Sequence, residues 1–222
     1  MRLSMILVVG VQRRRQAQAK AGAILLALLL LWMGRTVILR AAGWALVTED
    51  TLQSADVVVV AIGAGDAAVL EAADLIRSGI APRVAVFAEP QDKIEHEFLK
   101  RGLRYETVAD HGTRQLSLLG VINVERIPLT VLGSEDVGNV LPGWCDQRGF
   151  RRVVIVSTSD HTRRLRRILR RALAGRGVTA VVRRARYSEF DPDRWWQSRA
   201  GARIEVVELE KLLFDIVRHP IS

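Results

Sequence analysis

Val57–Ile62 (VVVVAI) and Arg152–Val156 (RVVIV) narrow the fold more than any other segments. Each is a β-branched run without polar alternation. A strand with one wet face alternates apolar and polar residues, so an unbroken run implies a strand covered on both faces. Helical spacing separates such runs, at Asp66–Arg77, Asp92–Arg101, about Thr113 to Val121, Glu135–Arg148, Asp160–Ala174 and Arg203–Arg218. Further strands are expected at Arg83–Ala88, Tyr105–Val108, Arg126–Val131 and Val178–Val182, six in all. Pro128 marks an edge or an irregularity, because proline has no amide to give a ladder. Pro142-Gly143 is expected to kink or break its helix. The alternation predicts an α/β fold: a Rossmann-like three-layer sandwich with a mostly parallel sheet. Val57–Val60 and Val153–Val156 should be adjacent central strands.

Ahead of this domain lies Ala21–Gly34 (AGAILLALLLLWMG), preceded by Arg13, Arg14, Arg15 and Lys20. A greasy run behind a cationic cluster is a membrane-insertion signal. The uninterrupted run is 14 residues, and counting through Leu39 gives 19, with Arg35 able to snorkel. Trp32 and Trp44 are candidate interface anchors. A cleaved signal peptide and a buried helix of a soluble protein are the alternatives. The expected organisation is a cytoplasmic segment 1–20, a membrane anchor 21–41, a connector 42–54 and an α/β domain 55–222. The excess of cations before the span predicts a single-pass protein of the plasma (inner) membrane, its N-terminus cytoplasmic and its α/β domain extracytoplasmic.

The net charge of +9 invites a nucleic-acid reading. No aromatic platform or nucleic-acid motif accompanies the arginines, so no specific nucleic acid is expected. The cations crowd instead into Arg163, Arg164, Arg166, Arg167, Arg170, Arg171 and Arg176. A solvated helix face or contact with an anionic membrane surface accounts for them. The lone Cys145 excludes an internal disulfide and a cysteine-based zinc site.

Ligands of doubly wound sheets bind beyond the carboxyl ends of the strands. After the first strand comes Gly63-Ala64-Gly65-Asp66, two glycines and a candidate helix cap. After the fourth comes Gly133-Ser134-Glu135-Asp136, where Ser134 is a natural N-cap. After the fifth comes Ser157-Thr158-Ser159-Asp160-His161, with Arg164 one turn on. Hydroxyls at a helix start, with His161 and Arg164 on one face, suit an anion. Gly63, Gly65, Asp66, Ser134, Glu135, Ser157, Thr158, His161 and Arg164 are therefore the candidate binding residues, with Ser157 and Thr158 as cradle and Arg164 as charge clamp. Simple turn and cap chemistry explains several of them equally well. The sequence identifies no cofactor, no metal site and no nucleophile.

Several segments carry a resemblance: DVVVV at the first strand, AADLIRSGIAPRV, VIVSTSDHTRR, Arg194-Trp195-Trp196 and Glu208-Leu209-Glu210-Lys211. From Ala55 to Val217 the chain resembles the YdcF/SanA/ElyC family of bacterial proteins, a group with a domain of unknown function. The resemblance implies a Rossmann-like domain, a membrane anchor as in the SanA and ElyC branches, and a role in envelope integrity or cell-wall biogenesis. Its implied partners are the lipid bilayer and a small anionic ligand or cell-wall precursor. If a reaction is catalysed, phosphoryl or glycosyl-phosphate chemistry is implied. The other expectation is a catalytically silent scaffold that recruits partners through the arginine-rich helix.

Overall fold

The computed structural model describes residues 2–220. Contacts divide it into two units, residues 1–41 and 42–222. The described residues of the first unit all belong to helix α1 (Arg2–Leu46). Within α1, Gly22–Leu46 is long and apolar enough to cross a membrane, with mean hydropathy 2.1. None of its most apolar window is buried, and Leu25, Leu28, Leu31, Trp32 and Met33 are all more than half exposed. Up to residue 41 no described residue of this stretch is buried, the surface of a candidate membrane span rather than of a core helix; its last turn, through Leu46, packs on the α/β domain.

The second unit holds five parallel strands: β1 (Val57–Val60), β2 (Val84–Ala88), β3 (Val124–Thr130), β4 (Arg152–Ser157) and β5 (Thr179–Arg184). Their spatial order is β3-β2-β1-β4-β5. β1 and β4 are the expected central neighbours, with Val57 opposite Val153 and Val60 opposite Val156. Their valines are buried on both faces, which is why neither strand alternates. β3 is an edge strand, and its register with β2 slips between Phe87 and Ala88, across from Pro128 and Leu129. Proline sits at an edge and at an irregularity, as its missing amide requires.

Helices α2 (Gly65–Arg77) and α4 (Val108–Leu118) pack together beside β1 and β2. Helices α5 (Ser134–Arg148) and α6 (Thr162–Leu173) pack together, α6 also against β5. A short helix α3 (Lys93–Lys100) follows β2, and α7 (Arg199–Arg218) closes the chain over α6. Gly138 lets α5 approach α6, since a Cβ there would come within 2.8 Å of Ile168 Cγ2.

Three expectations change. Tyr105–Val108 is not a strand: Thr107 caps α4 in a reciprocal capping box with Asp110, and that local bonding starts a helix there. The sheet therefore has five strands. α5 runs through Pro142 unbroken, with Leu141, Pro142 and Trp144 all buried against the core; tertiary packing outweighs the lost helical bond. Residues 42–54 are not a detached connector. Leu46 and Val47 pack with Phe190 and Leu212, and Trp44 Nε1 donates to Asp193 Oδ1 at 3.2 Å. Asp50 pairs with edge strand β5: its amide donates to Val182 O and its Oδ2 accepts from Val182 N at 3.0 Å.

Candidate functional site

The strand order reverses between β1 and β4, the switch point where a crevice opens. There a cleft of about 550 Å³ is lined by Gly63, Ser134, Glu135, Thr158, His161 and Arg164 among others. Six candidate residues from three strand ends thus meet. Asp136, Asp160, Glu208 and Lys211 complete its polar lining.

Ser134 is placed by a substitution of roles. Gly133, not Ser134, is the N-cap of α5, and Ser134 is the first helical residue. Asp136 Oδ2 accepts from Leu132 N at 2.9 Å, so an acid of the first turn secures the loop. The Ser134 hydroxyl is left to meet His161, with Oγ 2.8 Å from Nε2. α5's first backbone bond here is Val137 N to Gly133 O, so the amides of Ser134, Glu135 and Asp136 precede its ladder.

His161 ends a single 3₁₀ turn, Ser159–His161, that follows β4 with Thr158 as its cap residue. It is buried. Its Nδ1 lies 3.2 Å from Glu208 Oε2 and 2.9 Å from Arg164 Nη2. Arg164 also reaches Glu208 Oε2, from Nη2 at 3.0 Å and Nε at 3.3 Å. Lys211 Nζ holds the other oxygen, Oε1, at 2.6 Å. Burial alone would raise the Glu208 carboxyl. Hydrogen bonds from His161 and Lys211, with the Arg164 charge, overcome that and bring it down to about 2. Glu208 is an ionised, fully bonded anchor.

Asp160 and Glu205 behave oppositely. Burial raises Asp160, reinforced by the Glu208 charge. Glu205 is 2% exposed, and neither carboxyl oxygen has a hydrogen-bond partner. Burial, then the Asp160 charge, pushes it up to about 7. Among the described residues no group of three His, Cys, Asp or Glu has metal-holding geometry.

Ser157, Gly65 and Asp66 do not line this cleft. Ser157 is buried, with its hydroxyl unpartnered, while its carbonyl accepts from Ala185 N at 2.8 Å. It is a strand residue facing away from the cleft. Gly63 and Gly65 have φ of 70° and 59°, and no atom would meet a Cβ at either. They are glycine for the left-handed turn, not for a close approach. Ala64 takes the cap position of α2. Asp66 is exposed, 3.4 Å from His111, and with Gly65 lines two hollows that adjoin the cleft at Gly63. Glu208 and Lys211 were visible beforehand only in the family resemblance. Their sequence distance from His161 carries no local signal.

Most arginines of α6 are paired inside the domain, while Arg170 is exposed. Arg166 pairs with Asp50, and Arg163 donates to Val47 O at 2.9 Å. Arg167 and Arg171 converge on Asp215 of α7, at 2.5 and 2.6 Å. They hold α7 and the residues after α1 onto α6, a role that neither a solvated face nor a membrane contact anticipated. Cys145 is buried, and burial pushes its thiol up to about 12, far from a reactive thiolate.

No family model and no curated protein matches the chain. Among solved structures, guanylylpyridinol- and ATP-bound HcgE from Methanothermobacter marburgensis is similar at 13% identity. The match covers 75% of this chain and 98% of that one, with a TM-score of 0.28. A score that low carries no argument about function. The fold and cleft define a Rossmann-like α/β protein with one helix able to span a membrane.

Proposed function

We propose that this is a membrane-anchored envelope protein of YdcF/SanA/ElyC type that binds a small ligand through an anionic, phosphate-bearing group at its strand ends. The observation that carries the reading is the convergence of Gly63, Ser134, Thr158, His161 and Arg164 on one cleft. The start of α5 opens into it at Ser134, and its leading amides favour negative charge. Arg164 and Lys211 are paired with Glu208, so they offset that carboxylate rather than stand as free clamps. The anion's partners are then the amides and hydroxyls.

The test is thermal shift of the full chain in detergent with pyrophosphate, a nucleoside diphosphate sugar and undecaprenyl phosphate. Ligand at 100 times its Kd should add ~2.7 kcal/mol. No shift with any of them overturns the reading. Arg170→Ala, exposed on α6, is the charge control; Arg167 is unsuitable because Asp215 depends on it. Loss of binding in Arg170→Ala would mean diffuse electrostatics.

The cations ahead of the span support the orientation that goes with this reading: plasma membrane, N-terminus cytoplasmic, α/β domain outside. A reporter fused after Ser222 should be active only outside the cytoplasm and should stay with the membrane through a carbonate wash. Cytoplasmic activity would reverse the orientation, and release into the soluble fraction would indicate cleavage.

A further inference from the structure

Three groups in the cleft are joined by two short contacts that anion binding alone does not require. Ser134 Oγ is 2.8 Å from His161 Nε2, and His161 Nδ1 is 3.2 Å from Glu208 Oε2. Hydroxyl, imidazole and buried carboxylate come from three separate elements: the start of α5, the turn after β4, and α7. We infer that Ser134, His161 and Glu208 form a nucleophilic triad and that the cleft hydrolyses a carboxylic ester. The inference rests on the strand-end cleft being the ligand site proposed above.

His161 Nδ1 faces an acceptor, Glu208 Oε2 at 3.2 Å, and a donor, Arg164 Nη2 at 2.9 Å, so each tautomer satisfies only one of the two. With the proton on Nε2, the imidazole donates to Ser134 and Nδ1 accepts from Arg164. With the proton on Nδ1, it donates to Glu208, Nε2 accepts from the Ser134 hydroxyl, and Arg164 still bonds Glu208 at 3.0 Å. Only the second gives Ser134 a base. Glu208, held ionised by Arg164 and Lys211 and facing Nδ1, favours the second; Arg164 Nη2, 2.9 Å from Nδ1, favours the first, and the second requires Arg164 to turn wholly to Glu208. Glu208 is thus a positioning residue, while Ser134 and His161 are catalytic.

The chemistry balances with water alone. Ser134 Oγ adds to the ester carbonyl carbon and its proton passes to His161 Nε2. The carbonyl oxygen becomes an oxyanion beside the amides of Glu135 and Asp136, which precede the α5 ladder. The bond to the alcohol oxygen breaks, and His161 protonates that oxygen. Water then gives its proton to His161 and adds to the acyl carbon. Ser134 leaves and recovers the proton, and the acid departs. The elbow is unstrained: among the described residues no non-glycine has positive φ. Ser134 reaches the cleft because the strand-to-helix turn hands the cap to Gly133.

The test uses the full chain in detergent with 4-nitrophenyl acetate and a fluorophosphonate probe. The wild type should release one equivalent of nitrophenol in a burst, and peptide mapping should place both adducts on Ser134. Ser134→Ala should show neither, and His161→Gln should label at least 100-fold more slowly. Glu208→Gln should shift the pH midpoint of labelling downward, a change that a loss of folded protein would not produce; Arg164 and Asp160 also face His161 and stay in place. An unlabelled wild type, an adduct elsewhere, or full labelling in Ser134→Ala overturns the triad. If a variant fails to fold, the mapped site in the wild type decides alone. Retained pyrophosphate or nucleotide-sugar binding without labelling would sink only the triad, and labelling without such binding would sink only the anionic-ligand reading.

Discussion

Replacing Asp215 with alanine is expected to cost the α/β domain about 3–5 kcal/mol, the usual penalty for breaking a buried ion pair from one side. Its side chain is 4% exposed and meets Arg167 and Arg171, whose side chains are 17% and 20% exposed. Burial alone would raise the Asp215 carboxyl, but hydrogen bonds from Arg171 and Arg167 hold it below the ordinary range. Removing it leaves two largely desolvated guanidiniums facing each other between α6 and α7. Urea unfolding of the full chain in detergent should show the loss as a lower midpoint. Glu97→Ala, which breaks exposed pairs with Lys100 and Arg101, should move it by less than about 0.5 kcal/mol. A loss below about 1 kcal/mol for Asp215→Ala would mean that water reaches these arginines and that the α6–α7 contact does not depend on them.

Glu205→Gln is expected to remove a pH dependence of about 3 kcal/mol. The native carboxyl is raised from 4.5 to about 7, by burial first and then by Asp160, and each unit is worth 1.36 kcal/mol. A raised acid binds its proton more tightly in the folded state than in the unfolded state. The wild type is therefore unaffected below about pH 4.5, loses stability as pH rises toward 7, and loses no more above it. Glutamine never ionises, so the gap between variant and wild type should widen across that window in the variant's favour. Whatever the buried amide itself costs is the same at every pH. A gap that stays constant from pH 5 to 8 would show that Glu205 is hydrated or paired in solution. Glu208 and Asp215 act on the opposite side: both are depressed, so their contribution is present above about pH 4 and fades as pH falls below it.

Some of this architecture is local enough to be written in the chain. The two valine-rich runs read as central strands because burial on both faces leaves no polar alternation, and β1 and β4 are neighbours. Pro128 reads as an edge because the missing amide is a property of one residue. The apolar stretch of α1 reads as a span because its length and composition suffice. The carboxyl ends of the strands follow from the alternation, and six of nine candidate residues line the cleft there.

What lay beyond the sequence depends on pairings across many residues. Ser157 and Thr158 both read as the anion cradle, but only Thr158 lines the cleft, while Ser157 is buried. Asp66 and Ser134 both read as caps, and neither takes the cap position; Asp66 points to His111 and Ser134 to His161. Tyr105–Val108 looked extended until Thr107 and Asp110 bonded each other. Above all, the charge on α6 looked like surface. Its meaning came from Asp215 and Glu208 on α7, 44 to 48 residues away, which no local pattern could bring to its side. Periodicity and backbone chemistry act over a few residues and are legible in order. Which acid neutralises which arginine, and which serine meets the histidine, is set by how the layers close, because those contacts exist only after the sheet has brought its strand ends together.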